Sequence, residues 1–329
     1  MNNEITAKDF DRAREITRSI EAAVSSRLVG QHRLLRSLLV ALISDGHILL
    51  ESVPGLAKTL AASTLAKSVS ASYGRVQCTP DLLPADIIGS QIYNAKTGAF
   101  STELGPVHVN FLLLDELNRS SAKTQSAMLE AMQERQTSIG NETYPLPKPF
   151  LVMATQNPIE EEGTYVLPFA QMDRFMLKEV LTYPSPDEEL TILDRVVDQV
   201  FEQPVPASGV TLDDILVLQQ AVKHVTISPE LKKYIIDIVG VTRDPGYFLQ
   251  AEKAKYLELG ASPRAAIAFL NAARASALLD GRDHVLPEDI VDFRYSVLRH
   301  RLILTFEATA EQVKHEDLID AIFDVIPTP

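Results

Sequence analysis

The stretch from His47 to Ser70, HILLESVPGLAKTLAASTLAKSVS, decides the fold. It runs from an apolar strand through a short turn at Pro54 and Gly55 into a helical segment expected to include Ala57. Strand, tight loop and helix in that order are the context in which the phosphate-loop pattern G-x-x-x-x-G-K-[ST] carries meaning. Here Ser52 and Ala57 stand at the two glycine positions, ahead of Lys58 and Thr59. Backbone N–H groups of such a loop converge where the following helix presents its positive end, so phosphate oxygens find donors and partial charge together. The glycine positions then matter through backbone angles. Ala57, just inside the helix, is expected at negative φ, as is Ser52 at the strand's end, while Gly55 after Pro54 takes up the unusual angle. Lys58 is expected to reach the phosphates as a point charge, and Thr59 to offer its hydroxyl to Mg²⁺. Read alone, the stretch also suits a Pro-Gly turn with a solvated lysine.

Working outward, short β-rich runs alternate with helical stretches from about residue 47 to 183, the signature of a parallel sheet with helices on both faces. The runs are HILLES, GRVQCTP, FLLLDEL, FLVMATQNP and DRFMLKEVLTYP, all but the second nearly all apolar. FLLLDEL delivers Asp115 and Glu116 to a strand's C-terminal end, where parallel sheets assemble their sites. Asp115 suits a Mg²⁺ water shell opposite Thr59, and Glu116 can polarise an attacking water. FLVMATQNP brings Thr155, Gln156 and Asn157 to the same sheet edge, although Asn157 before Pro158 is by itself a turn former.

Beyond Pro186 the chain reads as helices. SPELKKYIIDIVGVTR places Ser228 as N-cap, Pro229 in the first turn, and Leu231, Tyr234, Ile235, Ile238 and Val239 on one face. ASPRAAIAFLNAARASALLDG repeats the design with Ser262, Pro263 and a closing Gly281. A boundary near residue 185 follows, with an α/β domain over 1–185 and an all-helical domain over 186–329. With 46% hydrophobic residues, the 329-residue chain can bury a sizeable core. A formal charge of −13 argues against a broad nucleic-acid surface, which rests on Lys and Arg neutralising phosphates. The single cysteine, Cys78, cannot form an internal disulfide, and no apolar run approaches a signal peptide or membrane span, so cytoplasm is the expectation.

Taken together, LVGQHRLLRSLLVAL, ESVPGLAKT, TPDLLPADIIGS, LLLDELNRSSAKTQSAMLEAMQERQ, MATQNPIEEEGTYVLPFAQMDRFMLK and ASPRAA resemble MoxR-type AAA+ ATPases, in the clade that includes magnesium-chelatase ATPase subunits. The resemblance implies a three-layer P-loop domain whose five parallel strands run in the order 5-1-4-3-2, followed by an all-α lid. It also implies ATP or ADP with Mg²⁺ and a ring, a hexamer. In that family's terms Val29 and Gly30 lie near adenine. Ser52 and Pro54 to Leu60, thus Gly55, Leu56, Ala57, Lys58, Thr59 and Leu60, form the nucleotide loop. Asp115 and Glu116 form Walker B, Asn157 is sensor 1 and Arg264 is sensor 2. Arg174 in QMDRF matches the arginine finger that acts on a neighbouring subunit's nucleotide; read without the family, it pairs locally with Asp173. Arg119 ranks behind it as an interface arginine. DIIGSQIYNAKTGAFSTELGPV and RQTSIGNETYPLPKPF match the hairpin inserted in the second helix and the hairpin before sensor 1. Two departures stand out: Ser52 lies outside the family's loop pattern, and Phe169 stands where the family commonly has glutamate.

The leading expectation is an ATP-hydrolysing ring that remodels or matures partners carrying von Willebrand factor A domains. A nucleotide-gated scaffold with weak hydrolysis and a nucleic-acid-linked motor stay open as alternatives.

Overall fold

The computed structural model describes residues 7–53, 55–96, 98–158, 165 and 167–329, without the side chains of 7–9. Pro54, expected in the nucleotide loop, lies outside the described residues. The strands are β1 (Ile48–Glu51), β2 (Tyr73–Gln77), β3 (Gly89–Asn94), β4 (Ala99–Leu104), β5 (Phe111–Asp115), β6 (Gln136–Ile139), β7 (Glu142–Pro145), β8 (Leu151–Gln156) and β9 (Leu177–Val180). Five of them form one sheet in the order β2-β5-β8-β1-β9. Counted among sheet strands alone, that is the expected order 5-1-4-3-2 read from the other edge. The recorded pairs β1–β8, β2–β5 and β5–β8 are parallel.

Sequence explains which strands sit inside. All five residues of β5, FLLLD, are buried, and in β8, LVMATQ, only Gln156 is less than buried. Such runs have no polar face to show water, as a sheet covered on both sides requires. β2, YGRVQ, has only Val76 buried and lies at the sheet's edge. Register then levels the strand ends: Glu51 lies opposite Gln156, and Gln77 opposite Asp115. The stretches around β3–β4 and β6–β7 fold as antiparallel hairpins; in the first, Tyr93 and Phe100 face each other across the strands with ring centroids 5.2 Å apart.

By contacts the chain divides into two compact units. Of the described residues, those within 16–167 and 180–217 form an α/β unit, and those within 7–15, 168–179 and 218–329 form a helical unit. Two capped helices organise the helical unit. Ser228 accepts from the Leu231 N–H ahead of helix Pro229–Arg243, and Ser262 accepts from the Arg264 N–H ahead of helix Pro263–Leu279. Each such cap contributes about 1 kcal/mol by satisfying a donor the helix cannot. Gly281, at φ +74°, closes the second helix where a Cβ would be strained. Tyr234 and Phe269 both pack against Phe323 from helix His315–Asp324. Among the described residues, no helix is long and apolar enough to cross a membrane.

Candidate nucleotide-binding site

The phosphate-loop geometry belongs to the α/β unit. Ser52 continues the sheet, its N–H donating to the Gln156 carbonyl at 3.1 Å and its hydroxyl to the Val53 carbonyl at 2.7 Å. Gly55 has φ +87°, with open space where a Cβ would stand. Ala57 departs from expectation. It caps helix Lys58–Ser68 from outside, at φ 56° and ψ 21°, in the left-handed region rather than at the negative φ expected. The reason is that the helix begins one residue later, so Ala57 must turn the chain into it. A Cβ in that region costs roughly 1–2 kcal/mol, which glycine would avoid.

That turn leaves donors unspent. Among the described residues, no N–H from Gly55, Leu56, Ala57, Lys58 or Thr59 reaches a backbone carbonyl. Lys58 makes no ion pair among the described residues, and Thr59 is exposed at the first helical turn. Five N–H groups at a helix start, beside a lysine without a counter-charge among the described residues, form a cradle suited to phosphate oxygens. Leu60 lines a cleft of about 400 Å³ along the same helix, with Ser63, Thr64, Arg27 and Phe201. Val29 and Gly30 directly precede helix His32–Ile43, and a Cβ at Gly30 would meet the Glu188 carboxylate within 2.7 Å.

The acidic strand end carries a denser network. Thr155 donates to Asp115 Oδ1 at 2.8 Å and accepts the Glu116 N–H at 2.8 Å, so one hydroxyl spans two strands. Arg75 on β2 donates to Asp115 Oδ2 at 2.6 Å, which raises the guanidinium's pKa through that hydrogen bond. Gln77 donates to Glu116 Oε2 at 2.9 Å, and Arg119 reaches the same oxygen at 3.1 Å. Glu116 itself has φ 56°, an uncommon angle for a side-chain-bearing residue. Asn157 is buried just past β8. Arg75 and Gln77 are neighbours of Asp115 and Glu116 that sequence reasoning did not name, while Thr155 was placed at this sheet edge without a role. The signal for Arg75 and Gln77 was the polar character of GRVQCTP, the one run that was not nearly all apolar, in which they stand two apart and thus on one face; Thr155 stood among the polar residues that end FLVMATQNP.

The Thr59 hydroxyl and the Asp115 carboxylate are hard oxygen donors of the kind magnesium takes. Mg²⁺ keeps several waters and takes one or two protein oxygens, so an exposed hydroxyl and one carboxylate suffice, and Asp115 already attracts a cation in Arg75. Among the described residues no group of three or more His, Cys, Asp or Glu is arranged to cage a metal alone.

Arg174 and Arg264 lie in the helical unit. Arg174 is exposed, and its side chain has no partner among the described residues. The local Asp173–Arg174 pair considered from sequence is not formed. Asp173 instead binds Arg301 at 2.8 Å and Arg264 at 3.4 Å.

A parallel sheet with a phosphate cradle and an acidic strand end defines a P-loop nucleotide-binding fold, and comparison with known proteins narrows the class. Residues 47–177 match the ATPase family associated with various cellular activities (AAA), and residues 249–322 match the AAA lid domain. Chaperone MoxR1 of Mycobacterium tuberculosis is 47% identical over 302 residues, covering 92% of this chain and 79% of that protein. Protein MoxR of Paracoccus denitrificans is 32% identical, covering 95% of this chain and 96% of that protein. A crystal structure of an ATPase candidate from Cytophaga hutchinsonii superposes with a TM-score of 0.91 at 46% identity, covering 98% of this chain and 97% of the other. The chain belongs to the MoxR family of AAA ATPases.

Proposed function

We propose that this chain binds ATP with Mg²⁺ and hydrolyses it at the subunit interfaces of a ring, a hexamer, to remodel or mature partner proteins carrying von Willebrand factor A domains. The observation that carries the reading is the cradle of unspent N–H groups from Gly55 to Thr59, in the same unit as a strand ending in Asp115 and Glu116. The remodelling role draws support from the relative named a chaperone. In this reading the nucleotide-binding domain extends to residue 185 and the lid covers 186–329.

Lys58 and the loop N–H groups bind the phosphates, with Ser52 closing the strand behind them and Leu56 and Leu60 flanking. Val29 and Gly30 border the base. Thr59 and Asp115 would hold Mg²⁺, which supplies positive charge to the phosphate oxygens when bound. Glu116 accepts a proton from the attacking water as oxygen bonds to the γ-phosphorus and the bond to ADP breaks, and Asn157 orients that water. Arg174 neutralises charge on a neighbour's transferring phosphoryl group, and Arg264 senses the nucleotide of its own chain.

Glu116 is held by Gln77 and Arg119, an arrangement that favours a second reading, a nucleotide-gated scaffold with weak hydrolysis. Steady-state turnover at high protein concentration separates the two. The ATPase reading expects Mg²⁺-dependent turnover that Glu116→Gln and Arg174→Ala each abolish, with ATP still bound by both variants. Unchanged turnover in either variant would remove that residue from its role.

A further inference from the structure

Arg174 is presented by a clamp built on its neighbours. Arg301, almost fully buried, spends all five guanidinium N–H groups. Nε donates to Asp173 Oδ1 at 2.8 Å, Nη1 to the carbonyls of Met176 and Val297 at 3.1 and 2.7 Å, and Nη2 to the carbonyls of Asp173 and Phe175 at 3.2 and 2.6 Å. His300 adds a contact to the Phe175 carbonyl at 3.0 Å. The backbone on both sides of Arg174 is thus fixed, while its side chain stays exposed.

The other carboxylate oxygen of Asp173 is shared. Oδ2 accepts from the Ser262 hydroxyl at 2.8 Å and lies 3.4 Å from Arg264 Nη1. Arg301 already neutralises Asp173, so Arg264 is a surplus cation on a satisfied carboxylate. Its contact is long, its side chain is 47% exposed, and its departure strands no buried charge. Arg264 is therefore the exchangeable partner, and Arg301 the permanent one.

We propose that Asp173 is a positioning residue that couples the two arginines, holding Arg174 in place through Arg301 and registering through Oδ2 whether Arg264 is docked on it or engaged with nucleotide. The chain's own nucleotide state would thereby reach the arginine it offers to the next subunit. This inference rests on the finger and sensor roles proposed above.

The test is subunit mixing. Asp173→Asn keeps the shape of the side chain and removes its charge. Its ATPase kcat is expected to fall roughly tenfold or more, the scale of one lost charge-assisted contact, with KM for ATP little changed. Mixed in equal amounts with Glu116→Gln, which binds ATP without turning it over and carries an intact Arg174, about half of the Asp173→Asn sites meet a sound finger, and turnover per competent site should rise accordingly. No rescue, or an unaltered kcat, overturns the proposal. Arg174→Ala mixed with Glu116→Gln is the reference: full turnover in Arg174→Ala alone refutes the finger role itself, a result separate from any failure at Asp173. A second measurement leaves Asp173 intact. The chain contains no tryptophan, so Phe169→Trp, whose carbonyl accepts the Asp173 N–H, is a unique fluorescent reporter. In a Glu116→Gln background its emission should shift on adding Mg²⁺–ATP and should not shift once Arg264→Ala is added, with ATP still bound. An equal shift without Arg264 contradicts the coupling.

Discussion

Two aspartate–arginine pairs, one in each unit, look alike on paper and differ in kind. Asp115 and Arg75 meet at 2.6 Å with side chains 12% and 46% exposed, whereas Asp173 and Arg301 meet at 2.8 Å with side chains only 6% and 2% exposed. Water reaches the Arg75 end of the first pair, so the guanidinium can leave its carboxylate to a metal without being stranded in the core. Arg301 has no such freedom. Burial pushes its pKa down to about 10, against the favourable pull of Asp173, yet leaves it charged at neutral pH. The contrast separates a carboxylate kept available for chemistry from one committed to architecture.

The largest expected effect breaks the committed pair. Arg301→Met leaves Asp173 buried without its permanent partner and should cost about 3–5 kcal/mol, read as a lower urea midpoint. A shift as small as that of a surface variant would erase the distinction between the pairs.

Each unit also buries a neutral histidine. His47 accepts the Val152 N–H on Nδ1 at 3.1 Å and so donates from Nε2 to the Met132 carbonyl at 3.2 Å, while burial and nearby Arg135 push its pKa down to about 3. Burial and Arg301 hold His300 well below the usual range as well. Unfolded imidazoles take up protons first, so the stability these groups contribute is present above about pH 6.5 and is lost as pH falls toward the folded values. Below that point each should cost roughly 1.4 kcal/mol per pH unit. Melting curves between pH 7.5 and 5 test this; a flat profile would mean that neither imidazole is held neutral.

Relieving the left-handed turn gives a smaller change. Ala57→Gly should stabilise the chain by at most ~1 kcal/mol, since glycine's entropy offsets part of the relieved strain. Smallest of all, Arg75→Ala should alter stability by about 1 kcal/mol or less in calorimetric melts, because the guanidinium is half in water. A loss comparable to that of Arg301→Met would place Asp115 among the committed carboxylates.

Much of the fold was legible because the decisive signals are local. Apolar runs named the strands, and Ser228 and Ser262 named helix starts through side chains bonding two or three residues away. Strand order came from family resemblance, since periodicity alone cannot say that β1 lies between β8 and β9. Loop conformation was misread at Ala57 because one residue's difference in the helix start reverses the sign of φ. Side-chain pairing over long separations was not legible. Nothing near Asp173 in sequence indicates Arg301, 128 positions on, so the adjacent Arg174 looked like its natural partner. Arg75 and Asp115 meet only because β2 and β5 are neighbours.

The central claim is that the Gly55–Thr59 loop is a nucleotide site despite Ser52 and Ala57. Calorimetric titration of the chain with ATP and Mg²⁺, beside Lys58→Ala, tests it most directly. One ATP per chain is expected to bind, with affinity falling about 10- to 100-fold in Lys58→Ala, the scale of a hydrogen bond to a charged group. Equal affinity in the two proteins would contradict the account.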